Sequence, residues 1–399
     1  MKFYLISQVY PPDAAAVGQY FEDVAVQLGA RGHDVYVLTA DRDYDDPSIL
    51  YDCSSRHPRV KIVRFKFSSF GKRTLIHRLC GQFSFLGQCA AWLLFHKRPD
   101  ALVLTTIPAT TGVFFLPLYW LRRFRYLYWV MDINPDQAIA LGVVSEASVF
   151  ARALRWVNKK LVSGARRVVC LDEEMQQRIN GDESVRVLPP WPLENDLGSV
   201  DRAANPFIRE HDLDGKFVFM YSGNHSLVHP LDTLLDGIRG ADLSTNTRFA
   251  FIGGGRGKVK VEDLARENDQ LLSLPYQPLD QIRFSLSAAD VHIVSMGETM
   301  RGIVHPCKLY TALAVGRPIL FLGDAVSVLG KVVLDHCVGW CVPHGDAGEM
   351  ARVLRCIEQT DRQELYQMGE KARQLADSKY SRAKLSEEFC DILEDAAAG

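Results

Sequence analysis

The 399-residue sequence contains nine cysteines, yet none forms a Cys-x-x-Cys pair or a Cys/His cluster at zinc-site spacing. A disulfide framework and a zinc module are therefore disfavoured, and scattered thiols fit a reducing, cytoplasmic setting. An excess of either charge is also lacking: 46 Lys and Arg stand against 48 Asp and Glu, for a net charge of -2. That balance argues against a general nucleic-acid binder and makes any basic surface a local one. No complete nucleotide motif is present. In the glycine run FIGGGRGKVK, Lys258 takes the place of the last glycine of G-x-G-x-x-G, while Ile252 and Val259 break a P-loop. Dinucleotide dehydrogenases and P-loop ATPases are thus disfavoured, and Gly253 and Gly254 either admit a nucleotide ring or form a turn. The start, MKFYLIS, enters a strand without the regions of a signal peptide. The longest uncharged stretch, 101–121, could span a bilayer by length, but its central TTIPATTG would break the helix and leave backbone groups unpaired in lipid. Strand, loop and helix are expected there instead.

What is present is a long series of alternating apolar strands and amphipathic helices. KFYLIS, VYVLT, ALVLTT, RYLYWVMD, RRVVCLD and VRVLPPW are strands with no polar face, which belong inside parallel sheets covered by helices. Phe21, Val24, Ala25 and Leu28 fall at helical spacing, and Gly32 follows as a stop. After the Pro-, Asn- and Asp-rich VLPPWPLENDLGSVDRAANP, read as a linker, the pattern restarts with KFVFMYSG and continues through TRFAFIGGG, QLLSLPY, VHIVSM, PILFLGD and VGWCVP. Helices are expected at 231–238 and 281–289, from an Asp346/Glu349 capping box, and over about 362–396. The fold class is α/β, in two Rossmann-like domains at 1–195 and 196–379, with a terminal helix over 380–399 returning to the first.

Open parallel sheets place ligands beyond the carboxyl ends of their strands, so the loops there carry the chemistry. The first strand ends in SQVYPPDAAAVGQYFED, where Gly18 either lets backbone approach a ligand or completes a strand-to-helix turn. The strongest signal is VHIVSMGETMRGIVHPCKLYTALAVGRPILFLGD, which sets Glu298, Arg301 and Lys308 between a buried strand and a helix. A ligand phosphate there would meet a helix N-terminus and cations, although loop charges also serve as solvated surface.

Five segments in order resemble the family 4 glycosyltransferases: YPPDAAAVGQYFEDVAVQLGARGHDVYVLT, WVMDINPDQAIALG, YSGNHSLVHPLDTLLDGI, SAADVHIVS and HPCKLYTALAVGRPIL. The likeness covers nearly the whole chain and is greatest to the branch that builds bacterial surface polysaccharides. It implies the GT-B fold, two facing domains with a cleft, and a retaining, metal-independent hexosyltransferase acting without a cofactor. The implied partners are a UDP- or GDP-sugar donor on the second domain and a glycan or polyprenyl-linked acceptor on the first, with no nucleic acid. The implied catalytic set is Asp132, Arg301 and Lys308. The implied donor-binding set is Gly18, Gly223, Asn224, His225, Gly253, Gly254, Pro275, Tyr276, Glu298 and Thr311.

The sequence departs from the family at several positions. The two family glutamates, eight residues apart, correspond to Ile303 and Thr311, so ribose recognition does not carry over. Asn224, His225 and His229 stand where an arginine and a lysine usually meet the diphosphate, and Ala15 and Ala16 replace paired glycines. Asp132 either serves the reacting hydroxyl or caps the segment after it. A nucleotide-sugar epimerase and a silent sugar-nucleotide-binding partner remain alternatives to a transferase. Asp41 with Asp43 and Asp212 with Asp214 match D-x-D, a spacing common in polar turns.

One last stretch bears on location. Over 72–98, Ile76, Leu79, Phe83, Leu86, Ala90 and Leu93 approach one helical face, with Lys72, Arg73, Arg78, Lys97 and Arg98 toward the ends. Such a helix either packs on the first domain or rests on an anionic membrane. The expected location is therefore cytoplasmic, with peripheral contact at the inner face of the plasma membrane.

Overall fold

The computed structural model describes residues 1–13, 15–43, 46–71, 74–179, 184–193 and 200–398. Residues 194–199 of the expected linker, together with Lys72 and Arg73, lie outside them. The chain divides into one unit of 1–189, 302–304 and 382–399, and another of 190–301 and 305–381.

The first unit runs β1 (Lys2–Ile6), α1 (Ala16–Ala30), β2 (Asp34–Ala40), β3 (Val60–Phe65), α2 (Leu75–Phe95), β4 (Ala101–Thr105) and α3 (Thr111–Arg122). It continues with β5 (Tyr126–Val130), α4 (Asp136–Ala140), α5 (Val149–Gly164), β6 (Arg167–Cys170), α6 (Glu173–Arg178) and β7 (Val185–Val187). Its parallel sheet has the order β3-β2-β1-β4-β5-β6-β7. Every residue of β4 and β5 is buried, because helices cover both faces. Alternation along β5 shows which helices lie where. Tyr126 packs edge-on against Phe115 and Tyr119 of α3, and its hydroxyl donates 2.6 Å to Leu161 O in α5. Trp129, three residues on and so on the other face, meets Phe21 of α1 and Phe389 of the terminal helix. Truncating a ring as enclosed as Trp129 costs roughly 3–5 kcal/mol.

The uncharged stretch at 101–121 resolves as β4, a loop and α3, which contains Pro117. Among the described residues no helix is long and apolar enough to cross a membrane. The stripe proposed along α2 divides. Leu86 and Leu93 are core, together with Phe85 and Cys89, whereas Ile76, Leu79 and Phe83 are exposed. The core-facing side is rotated away from the expected stripe in the first half of the helix.

The second unit contains α7 (Pro206–Glu210), β8 (Phe217–Ser222), α8 (Asp232–Gly240), β9 (Thr247–Ile252), α9 (Lys258–Ala265), β10 (Leu271–Leu274), α10 (Ile282–Ser287) and β11 (Val291–Ser295). Then follow α11 (Lys308–Val315), β12 (Ile319–Leu322), α12 (Val328–Asp335), β13 (Gly339–Val342), α13 (Ala347–Gln359) and α14 (Arg362–Lys379). The parallel sheet order is β10-β9-β8-β11-β12-β13. Phe219 and Phe249 stack at 5.0 Å on the sheet face covered by Leu234, Ile238, Met350 and Leu354. Asp346 caps α13 by accepting from Glu349 N at 2.8 Å, but the Glu349 carboxylate turns to Arg352, so the box is half formed.

The expected terminal helix breaks at Tyr380 and Ser381, and α15 (Arg382–Ala398) returns to the first unit. There Arg382 pairs with Asp23 and Arg31 with Asp391.

Candidate donor site

In the second unit the strand order reverses between β8 and β11, and ligands of open α/β sheets bind beyond such a reversal. The loop after β8 opens with Gly223 and the loop after β9 with Gly253, both near φ 125°. That region suits glycine alone, and the space does too: a Cβ on Gly253 would lie 2.1 Å from Gly223 O. Gly255 likewise has φ 124°, and its Cβ would sit 2.3 Å from Asn224 Oδ1. The two loops therefore lock together through bare backbone, with His225 N donating 2.7 Å to Gly254 O.

Lys308, the first residue of α11, closes this collar from the other side of the reversal. Its Nζ donates to Asn224 O at 2.9 Å and to the Tyr221 hydroxyl, and lies 3.9 Å from the centre of the Tyr221 ring. A Cβ at Gly223 would meet its Cε at 2.7 Å. Burial without a carboxylate partner lowers the ammonium to about 7. The helix behind it ends at Gly316, φ 73°, a left-handed cap, and Pro318 then directs the chain into β12. The Gly-x-Pro turn thus stops the helix whose N-terminus presents the lysine.

Two histidines flank the ammonium. His225 is 1% exposed with neither ring nitrogen hydrogen-bonded, and His229 Nδ1 is also without a partner. Burial and the Lys308 charge push them down to about 4 and about 3, so both are neutral at pH 7. The positive charge at the collar therefore comes from lysine, Lys308 and Lys258, rather than from the imidazoles.

Gly254 lies flat beneath Tyr276, whose ring would be 3.1 Å from a Cβ there, while the tyrosine itself is half exposed after Pro275. Thr311 follows Lys308 by three residues, one turn along α11. The structure thus gathers Gly223, Asn224, His225, Gly253, Gly254, Tyr276, Lys308 and Thr311. Arg301 is held differently: it pairs with Asp324 at 3.0 Å, in the loop after β12. Glu298 is exposed at the start of a short 3-10 turn, with no bond to Lys308. Two contributors escaped the sequence reading. Tyr221 bridges Lys308 to the loop carbonyl, and Lys258 donates to Leu274 O at 2.6 Å and to Gly253 O, tying β9 to β10.

In the first unit Asp132 follows β5. Its backbone N–H donates 3.0 Å to Thr106 Oγ1, and burial pushes its carboxyl up to about 6. It does not cap the next helix, because the N-cap of α4 is Pro135 and no side chain bonds there. Gly18 is the third residue of α1, and a Cβ would lie 2.9 Å from Tyr10 Cα. The close backbone approach at Gly18 is made by the chain's own loop. Arg64, also missed, fastens that loop by donating 2.7 Å to Pro11 O. Of the D-x-D pairs, Asp41 binds Arg42 and Asp43 accepts from the Tyr51 hydroxyl at 2.6 Å. Among the described residues no group of three or more His, Cys, Asp or Glu is arranged to hold a metal ion.

Residues 15–191 match the family model of the glycosyl transferase 4-like domain. The chain is 26% identical over 398 residues to the probable glycosyltransferase WbjE of Pseudomonas aeruginosa, covering 97% of this chain and 96% of that protein. It is 24% identical over 357 residues to the putative colanic acid biosynthesis glycosyl transferase WcaI of Escherichia coli (strain K12), covering 83% and 86%. Among solved structures, sucrose-phosphate synthase from Thermosynechococcus elongatus superposes with TM-score 0.78 at 17% identity, over 100% of this chain and 99% of that one. Anabaena Alr3699/HepE, in complex with UDP-glucose, superposes with TM-score 0.67 at 14% identity over 99% of each chain. Two parallel sheets of seven and six strands and these matches make the chain a glycosyltransferase with the GT-B fold, its residues 15–191 a glycosyl transferase 4-like domain.

Proposed function

We propose that the chain is a retaining, metal-independent transferase that moves a sugar from a UDP- or GDP-sugar to a glycan or polyprenyl-linked acceptor in surface polysaccharide assembly. The observation that carries this reading is Lys308, a cation without a carboxylate partner at the N-terminus of α11, bordering a collar that only glycines can form. A diphosphate would lie against Gly223 and Gly253, where no Cβ intervenes, and would take a charge-assisted bond from Lys308. A nucleobase would rest on Gly254 beside the half-exposed Tyr276 ring. The relative named for colanic acid biosynthesis and the structural neighbour holding UDP-glucose support the polysaccharide role and the donor class.

In the reaction the bond from the anomeric carbon to the phosphate oxygen breaks, and an acceptor hydroxyl forms the new glycosidic bond on the same face. Lys308 and the positive end of α11 stabilise the departing diphosphate. Asp132 accepts a hydrogen bond from the acceptor hydroxyl, whose proton passes to the leaving phosphate or to this carboxylate. Arg301, shared with Asp324, supplies supporting charge, while Glu298 and Thr311 offer contacts to the donor. A thermal-shift screen of nucleotide sugars tests the donor class: a UDP- or GDP-sugar should raise Tm, and a flat response to all of them would refute it.

A further inference from the structure

The outer surface of the helix layer on one face of the first unit has a composition that core packing does not explain. Helices α2, α3 and α5 pack side by side there, with Phe83 against Phe114 at 5.2 Å and Trp120 against Trp156 at 6.3 Å. Large apolar side chains nevertheless point outward. Phe83 is 48% exposed, Trp120 49%, Leu121 70% and Trp156 50%. Scattered exposed apolar residues are ordinary, but two neighbouring indoles beside exposed leucine and phenylalanine form a patch.

The charges carried by the three helices themselves are of one sign. The sequences of α2, α3 and α5 contain no Asp or Glu, in a chain that has 48. On α5, Arg152, Trp156, Lys159 and Lys160 recur at helical spacing on the exposed side, opposite the buried Ala151, Leu154 and Leu161. Exposed Arg123 ends α3, and exposed Lys97 and Arg98 follow α2. Of the acids that flank these helices in sequence, Asp136 and Glu146 both bind Arg155, and Asp100 accepts from Lys2 N. A second protein could cover such a patch, but a partner chosen by charge would have to be acidic and also accept indoles. A bilayer of anionic lipids offers both, since lysine and arginine meet the headgroups while tryptophan sits at the interface.

We propose that the outer face of α2, α3 and α5 is a docking surface for an anionic lipid bilayer, centred on Trp120 and Trp156. It differs from the single α2 stripe expected from sequence, because Leu86 and Leu93 of that stripe are core and the aromatic centre belongs to α3 and α5. The proposal deepens the transferase reading by making a lipid-linked acceptor reachable at the membrane surface. The docking itself involves neither donor nor acceptor.

The full chain would be sedimented with vesicles of equal parts phosphatidylglycerol and phosphatidylcholine, and with phosphatidylcholine alone, at low and high salt. Wild type should pellet with the anionic vesicles at low salt and be partly released at high salt. Each basic residue near the surface contributes about fivefold in affinity, so replacing Arg152, Lys159 and Lys160 by glutamine should weaken binding by roughly a hundredfold. Trp156→Ser should weaken it independently, and unchanged thermal melting of both variants would show intact folding. Wild type in the supernatant with both vesicles, or variants that bind as wild type does, would overturn the proposal. So would a dimer that Trp156→Ser dissociates, which would assign the face to a second copy. UDP calorimetry on the same preparations separates failure here from failure of the donor reading.

Discussion

Replacing Lys308 by methionine removes the charge from the collar while keeping a long apolar stem. The Tyr221 hydroxyl still donates 2.8 Å to Asn224 O, so that carbonyl keeps one of its two donors. Loss of a charge-assisted bond to a diphosphate costs roughly 1.5–3 kcal/mol, about ten- to a hundredfold in affinity. The protonation of this lysine gives a more specific readout. In the free protein its ammonium is lowered to about 7 by burial, well below the ordinary lysine range, so at pH 8 the neutral amine is favoured. A bound diphosphate favours the ammonium, so binding at pH 8 should be accompanied by net proton uptake. The nucleotide's own terminal phosphate, with a pKa of about 6, is already ionised there. Calorimetry of UDP or GDP at pH 8 in buffers of different ionisation enthalpy measures the uptake. A heat independent of buffer in wild type, or an uptake that persists in Lys308→Met, would refute the assignment. The same depressed pKa predicts a stability effect. Between about 7 and the ordinary lysine range the unfolded chain binds more protons than the folded one, so native stability rises with pH there. Lys308→Met should therefore raise Tm near neutral pH, with the gain shrinking as pH approaches the ordinary lysine range.

Asp132→Asn should lower kcat by about a hundredfold or more while leaving the donor Kd within about twofold of wild type. The carboxyl is raised to about 6, so activity that needs its anion should fall below that pH, and this acid limb should vanish from the residual rate of the variant. Gly253→Ala forces a Cβ to within 2.1 Å of Gly223 O at a positive φ, which should cost about 2 kcal/mol or more in urea unfolding and weaken nucleotide affinity as well. Excess chelator should leave the transfer rate unchanged; strict dependence on added magnesium or manganese would overturn the assignment of leaving-group stabilisation to Lys308.

The strands were legible because a parallel sheet covered on both sides selects runs without a polar face, as in β4, β5, β11 and β12. Strand β3, VKIVRF, escaped because it lies at the sheet edge, carries charge and is only partly buried. Lys308 stood out from its position after a buried strand and ahead of Gly316 and Pro318, local features that a sequence displays. Its partner Tyr221 did not, since it sits 87 residues away within a strand, where an aromatic reads as core. Arg301 is only seven positions before Lys308 in sequence, which groups the two, yet its acceptor Asp324 lies beyond the next strand. Along α2 the apolar residues outnumber those the core can take, so periodicity alone did not say which side faces inward.

Sugar transfer from a nucleotide donor is the central claim, and it is tested most directly by incubating the protein with labelled UDP- and GDP-sugars and a bacterial membrane lipid extract. The account predicts label in the lipid fraction, with the anomeric configuration of the donor retained in the product, and loss of that label with Lys308→Met. A donor altered without transfer, as in epimerisation, or bound and returned unchanged, would contradict it.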